Sequence, residues 1–483
     1  LTQGTGAVAI GIYSAQNNQG LYAVSIGGSS ATTNQGNFST AIGYSTAQNN
    51  QGINSISIGT NSGQNSQANY SIAIGYQAGQ TQQGSGSIAI GFQAGQGTQG
   101  TGAIALGYQA GQGSQNIDTI SIGTQAGQSH QGTGSIAIGY QSGQYTQSVG
   151  AISVGYQAGN ISQKAFAIAI GYQSATSMQG TGAIALGHSS GQVSQGTGSI
   201  AVGISAGQNS QGANSIALGT LSATDLQGTG AVAIGYSAGQ NSQQSLSIAI
   251  GAQAGQTNQR SFSVSMGVLS GGFQQGTGAI AIGYSAGQTN QGTGAISLGY
   301  SAGGLNQGSG SIALGTTAGQ FGQNYNSIAI GINAGQNTQG NNSIAIGWQA
   351  GNISQNTGSI AIGYSAGQTN QSSLSVAIGF SAGQSQQGAQ SVSLGFLAGQ
   401  QSQQANSIAI GTSAGLVSQQ INSIAIGNSA GKSSQGLYSI ALGYQTGQTG
   451  QGDNTIAIGN SAGSVSQQTN TIAIGTSAGS VSQ

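Results

Sequence analysis

The stretch AIAIGYSAGQTNQGTG, residues 279–294, alternates small and aliphatic side chains, breaks at Gly283, and then sets one glutamine, Gln291, among glycines and hydroxyl residues. Aligning the chain on cores of this kind gives starts at Ala7, Ala23, Ser39 and onward to Thr471, always 16 residues apart, in thirty units without an insertion. A fixed period of this length marks a repeat architecture in which each unit stacks on its neighbours. The thirty copies can therefore be compared with one another, with positions numbered 1 to 16 from each start.

Positions 1 and 3 are always Ala, Ser or Thr; position 2 is Ile or Val except for Thr40, and position 4 is Ile, Leu, Val or Met266. That alternation has the period of a β-strand. Position 5 is Gly in every unit, from Gly11 to Gly475, and position 9 is Gly or Ala. An invariant glycine beside a strand predicts a corner with positive φ or a close backbone approach. Position 8 is Ala, Ser or Thr, as a side of the coil facing a thin interior requires, and positions 14 to 16, often Gly-Thr-Gly, supply the closing turn. The expected fold is all-β: a parallel β-solenoid, or β-roll, of thirty 16-residue coils, continuous over 1–483 without an internal domain boundary or evident caps. One unit is too small to bury its own face, so cohesion must come from coil-to-coil stacking. The aliphatics of positions 2 and 4 are expected to form continuous interior columns.

Composition agrees with a rod rather than a conventional enzyme. Glycine fills 92 positions, proline and cysteine none, and three basic and three acidic residues leave a net charge of zero. No basic patch exists for nucleic acid, no thiolate is available for disulfides or metal, and no run of 18 apolar residues could insert into a membrane as a helix. The charges, Lys164, Arg260, Lys432, Asp118, Asp225 and Asp453, fall at positions 10, 11, 14, 15 and 16, away from the columns assigned to the interior. A disordered Gly/Ser/Gln chain would have no reason to keep such a frame.

Position 13 is Gln in every unit, and Gln3 ahead of the first unit extends the column to thirty-one. A solvent-facing site would accept Ser, Asn or Thr, as positions 11 and 12 do. The column, sampled by Gln3, Gln19, Gln83, Gln147, Gln211, Gln291, Gln371, Gln451 and Gln483, is expected to be an inward or groove-facing structural ladder. Each carboxamide would donate to the next and accept from the previous, with its second hydrogen satisfying a backbone carbonyl.

SIAIG at 71–75, 87–91 and 135–139 and SVAIG at 375–379, each followed by xxAG or xxSG, and SIALG at 215–219, followed by xxSA, resemble the head repeats of trimeric autotransporter adhesins, the YadA-like group. The resemblance implies a left-handed parallel β-roll, three chains side by side, displayed on a cell surface for adhesion; similar repeats occur in phage tail-fibre and giant-virus fibre proteins. The chain departs from the adhesin pattern in its 16-residue period and in having no coiled-coil neck and no C-terminal membrane barrel, so trimerisation and anchoring are not carried over.

No catalytic or metal constellation is expected, and no cofactor. His130 and His188 are the only histidines, the aspartates are isolated, and neither a calcium turn nor a phosphate-loop motif occurs. Position 6 is different: it is Tyr, Phe or Trp in half the units, with consecutive runs Tyr76, Phe92, Tyr108, then Tyr140, Tyr156, Tyr172, then Trp348, Tyr364, Phe380, Phe396. Stacked along one edge, these rings form a candidate interface or binding stripe. The chain starts at Leu1 without methionine and ends at position 13 with no cap, so a segment of a longer protein, or ends that stack on further copies, is expected. The expected function is a non-enzymatic structural fibre of an extracellular, cell or virion surface, with itself as partner and a surface glycan or protein as a further one. The alternative is a viral fibre or adhesin binding rod; an ice-binding solenoid fits less well, because its regular threonine array is missing.

Overall fold

The computed structural model describes residues 2–482, in which every regular element is a β-strand. They fall into two compact units, Leu1–Ser245 and Leu246–Gln483, each built in the same way. In the first unit, fifteen short parallel strands from Val8–Ile10 to Val232–Ile234 carry positions 2 to 4; in the second, fifteen more run from Ile248–Ile250 to Ile472–Ile474. A second set of strands, ending on the position 13 glutamine, closes most coils, as at Thr289–Gln291, and is reduced at Gln211 to isolated bridges with Gln195 and Gln227. Register advances by one repeat per coil: Ile280 pairs with Ile296, Ala281 with Ser297 and Ile282 with Leu298. Gln291 likewise pairs with Gln307.

All sides of the coil are bonded along the axis. Ile280 N–H donates to Ala295 O at 2.9 Å, Gly287 N–H to Ala302 O at 2.9 Å, and Gly292 N–H to Gln307 O at 2.7 Å. Gly299 N–H reaches back to Ile282 O at 2.9 Å, so successive coils are bonded in both directions. The backbone therefore satisfies itself coil by coil, which is what lets a chain so rich in glycine remain ordered.

The structure corrects one expectation from the sequence. The aliphatics of positions 2 and 4 do not form the interior: Ile280 and Ile282 are only part-buried, and Leu298 and Leu314 are 41% and 39% exposed. The interior belongs to the small residues on the opposite face of the same strands. Ala279 and Ala281 are fully buried. In the second unit, position 8 alanines such as Ala302 and Ala318 pack with position 3 alanines such as Ala313 and Ala329 in one core cluster. Serine at position 1 is in many coils satisfied locally, as Ser311 Oγ donates to Gly308 O at 2.6 Å, although the buried Ser135 hydroxyl has no such partner.

The reason for the inversion is thickness. The Gln291 carboxamide leaves the second strand and donates to Ile280 O, on the first strand of the same coil, at 2.7 Å. One glutamine thus spans the gap between the two walls, and no room is left for a branched side chain to enter from the opposite wall. Ala313→Val should accordingly overpack the core and cost about 1–3 kcal/mol. Ile312→Val, on the outer face one residue away, should stay within about 0.5 kcal/mol. Urea unfolding of the two variants checks the difference; equal effects would contradict this inside–outside assignment.

Candidate interaction surface

An alternating strand with its small residues inside must turn its large ones outward. In each unit the position 2 and position 4 side chains stand in two axial columns with one residue of each per coil, giving an outer wall of Ile, Val and Leu interrupted only by Thr40 in the first unit and Met266 in the second. Exposure on this wall is 41% at Leu106 and 42% at Leu394 within the stack, and 58% at Ile10 and 64% at Ile474 in the outermost coils. None of the six charged residues lies on it. A continuous apolar wall without charge is what a surface made for contact with another protein looks like.

Position 6, just beyond the corner glycine, carries the aromatic stripe. Tyr76, Phe92 and Tyr108 stack with ring centroids 5.2 and 5.3 Å apart. Tyr140, Tyr156 and Tyr172 stack at 5.0 Å each, and His188 continues that run at 4.9 Å from Tyr172. Trp348, Tyr364, Phe380 and Phe396 stack at 4.4, 4.8 and 5.3 Å. All ten of the aromatic residues singled out from sequence are exposed. Tyr284 and Tyr300, a further pair at 5.2 Å, follow the same column signal. Within a run the inner rings are covered on both faces by their neighbours, so they meet solvent by their edges, while each end ring has a neighbour on one face only.

The glutamine column lies on the inside. Gln19, Gln83, Gln147, Gln211, Gln291, Gln371 and Gln451 are all buried, whereas Gln3 is exposed and donates to Ala7 O at 3.2 Å. Gln483 lies outside the described residues. Carboxamide-to-carboxamide bonds run without a break from Gln115 to Gln195 in the first unit and from Gln275 to Gln419 in the second; Gln291 Nε2, for example, donates to Gln307 Oε1 at 3.1 Å. Gln211 donates to Gln227 at 3.1 Å, and Gln371 to Gln387 at 3.1 Å. Gln83 and Gln451 are outside these runs, yet each still donates to the carbonyl across the coil, Ile72 O at 2.6 Å and Ile440 O at 2.9 Å. The bond between walls is thus more widespread than the ladder along the axis. Serine at position 3 reinforces it, as Ser297 Oγ donates to Gln307 Oε1 at 2.6 Å.

Two further glutamine columns escaped the reading of the sequence. At position 7, Gln93 Nε2 donates to Gln77 Oε1 and Gln109 to Gln93, both at 2.9 Å. At position 10, Gln96 donates to Gln80 at 2.9 Å and Gln112 to Gln96 at 3.0 Å. The two columns are cross-linked, since Gln96 also reaches Gln77 at 3.1 Å. Their amides point toward the N-terminus, opposite to the position 13 ladder. The signal was present: position 10 is Gln in nineteen units, and position 7 is Gln in seven consecutive ones from Gln77 to Gln173.

The six charged side chains are exposed or part-buried, and among the described residues no three His, Cys, Asp or Glu groups come together. The family model described as YadA head domain repeat (2 copies) matches three segments, residues 164–190, 210–238 and 323–350. These segments are head repeats of the YadA-like type, and the 16-residue frame that they share continues through the units around them. No match was found among curated proteins.

Proposed function

We propose that this chain is a structural, fibre-forming repeat protein of an adhesin-like filament on a cell or virion surface, and that copies of it associate through the outward wall of position 2 and position 4 aliphatics. The observation that carries this reading is the inverted strand: every coil spends its largest apolar side chains on the outside. In a single chain these side chains are covered only in part, by their axial neighbours, whereas burial between copies returns roughly 25 cal/mol for each further Å² covered. A second copy suits the wall better than an unrelated partner, because the wall repeats at the coil spacing and carries no charge, and only an identical repeat matches it over many coils. The aromatic stripe beside it offers ring edges, which suits contact with a protein surface more than the stacking of sugar rings.

The variant Ile280→Lys, Ile296→Lys, Ile312→Lys tests the reading. It places three charges on the outer wall of consecutive coils of the second unit, where an unassembled chain tolerates them. The expected result is a fall to the single-chain mass in light scattering, with the β-sheet circular dichroism retained. An assembly of unchanged mass would overturn the proposal. Loss of the β-sheet signal would instead place these residues inside.

A further inference from the structure

We propose that the tyrosine pairs Tyr140–Tyr156, Tyr156–Tyr172 and Tyr284–Tyr300 are sites of oxidative coupling, at which dityrosine bonds staple neighbouring coils of one chain together. The paired rings are near-parallel, with interplanar angles of 12°, 8° and 8° and centroids 5.0, 5.0 and 5.2 Å apart. Their edges are open to solvent, with exposures from 42% at Tyr156 to 56% at Tyr300, so a small oxidant or a peroxidase can reach them. The backbone ladder holds each pair in register, which makes coupling effectively intramolecular and suppresses competition from tyrosines elsewhere. The chain has no cysteine, hence no thiol to quench a tyrosyl radical and no disulfide to perform the same stapling.

The chemistry balances with hydrogen peroxide as the oxidant. Each phenol gives up one electron and one proton to become a phenoxyl radical. Two radicals join through a carbon–carbon bond between ring positions ortho to the oxygens, and the ring hydrogens displaced there return to the phenol oxygens. Peroxide takes up the two electrons and two protons and leaves as two waters. The product retains both hydroxyls and has lost two hydrogen atoms.

The molecule contains its own controls. Tyr76 and Tyr108 are separated by Phe92, and Tyr364 lies between Trp348 and Phe380, so these tyrosines have stacked neighbours but no tyrosine among them. The full chain, dilute, is treated with peroxidase and hydrogen peroxide, then denatured; dityrosine fluorescence is read and linked peptides are mapped by mass spectrometry. The expected links join Tyr140 or Tyr172 to Tyr156, and Tyr284 to Tyr300, in material that still runs as a single chain on a denaturing gel. Tyr156→Phe, Tyr300→Phe should lose the intrachain signal, and Phe92→Tyr should gain links to Tyr76 or Tyr108. Links scattered over unstacked tyrosines such as Tyr145, links chiefly between chains, or no coupling while free tyrosine couples in the same tube would each overturn the proposal. Because the readout is the bond within one chain, it is independent of whether copies associate through the aliphatic wall.

Discussion

Gly283→Ala is expected to break the stack at its own coil, at a cost above about 3 kcal/mol. Two effects add. Gly283 has φ +126°, a region that only glycine enters without strain, and a Cβ there would lie 2.5 Å from Gly299 O of the next coil. That oxygen is backbone and is fixed by the axial ladder, so neither the new methyl nor its neighbour can give way. The comparison is Gly294→Ala at the closing turn, where φ is +65° but a Cβ would meet nothing within 4 Å. Only the backbone term remains there, about 1–2 kcal/mol. Urea unfolding of both variants, with amide hydrogen exchange to locate the opening, should show loss of protection around residues 267–299 for Gly283→Ala alone. Equal midpoints would mean that the corner is not held by close approach between coils.

Gln291→Glu is expected to be nearly as damaging at neutral pH and much milder in acid. The two hydrogens of Gln291 Nε2 are shared among four acceptors, Ile280 O, Ala295 O, Ser297 Oγ and Gln307 Oε1, at 2.7 to 3.2 Å. A carboxylate in the same space keeps the bond that Gln291 Oε1 accepts from Gln275 Nε2 at 3.1 Å, but its second oxygen has no hydrogen to offer and faces oxygens, and the side chain it replaces is 2% exposed. An unpaired charge buried in this way costs about 3–5 kcal/mol. Burial among acceptors raises the folded-state pKa of the new carboxyl above its unfolded value of about 4.3. The sign follows: the variant is closest to the parent below pH of about 4.3, where the protonated acid can still donate one bond, and loses stability as pH rises through the raised folded pKa. Unfolding midpoints of variant and parent measured across pH 3 to 8 check this, about one unit at a time. A difference between them that does not grow with pH would show that the carboxyl reaches water.

The period, the strand and the corner were legible because each leaves its mark on a single column. Position 5 admits only glycine since a Cβ has no free volume between Gly283 and Gly299, and the same collision recurs from coil to coil, leaving only the positive φ to act at Gly475. Position 9 follows a softer version of the rule. Gly287 has φ +52°, and a Cβ would press on Gln291 Cδ at 2.8 Å, a side chain with some freedom to move. Ala15, Ala31, Ala47, Ala175 and Ala223 occupy the same position at φ 45–47° in the first unit. The glutamine column was legible as a constraint but not as a geometry. Identity at every position 13 indicated an amide that must match something; only the coordinates reveal that its most widespread partner is the carbonyl across the coil rather than the next amide.

Which face of the strand is inside was beyond the sequence. An alternation of Ala with Ile defines two faces and is equally consistent with either pointing inward; the usual preference for burying the larger residue then favours the wrong one. The sequence by itself determined the 16-residue coil, its parallel stacking, its glycine corners and the absence of charge from its columns. The tertiary structure decided that alanine, serine and glutamine fill the interior while isoleucine, valine and leucine face out. The physical reason is the distance between two walls of one narrow coil, which a single glutamine spans from Gln291 to Ile280. A pattern of residue types along a chain contains no measure of that distance.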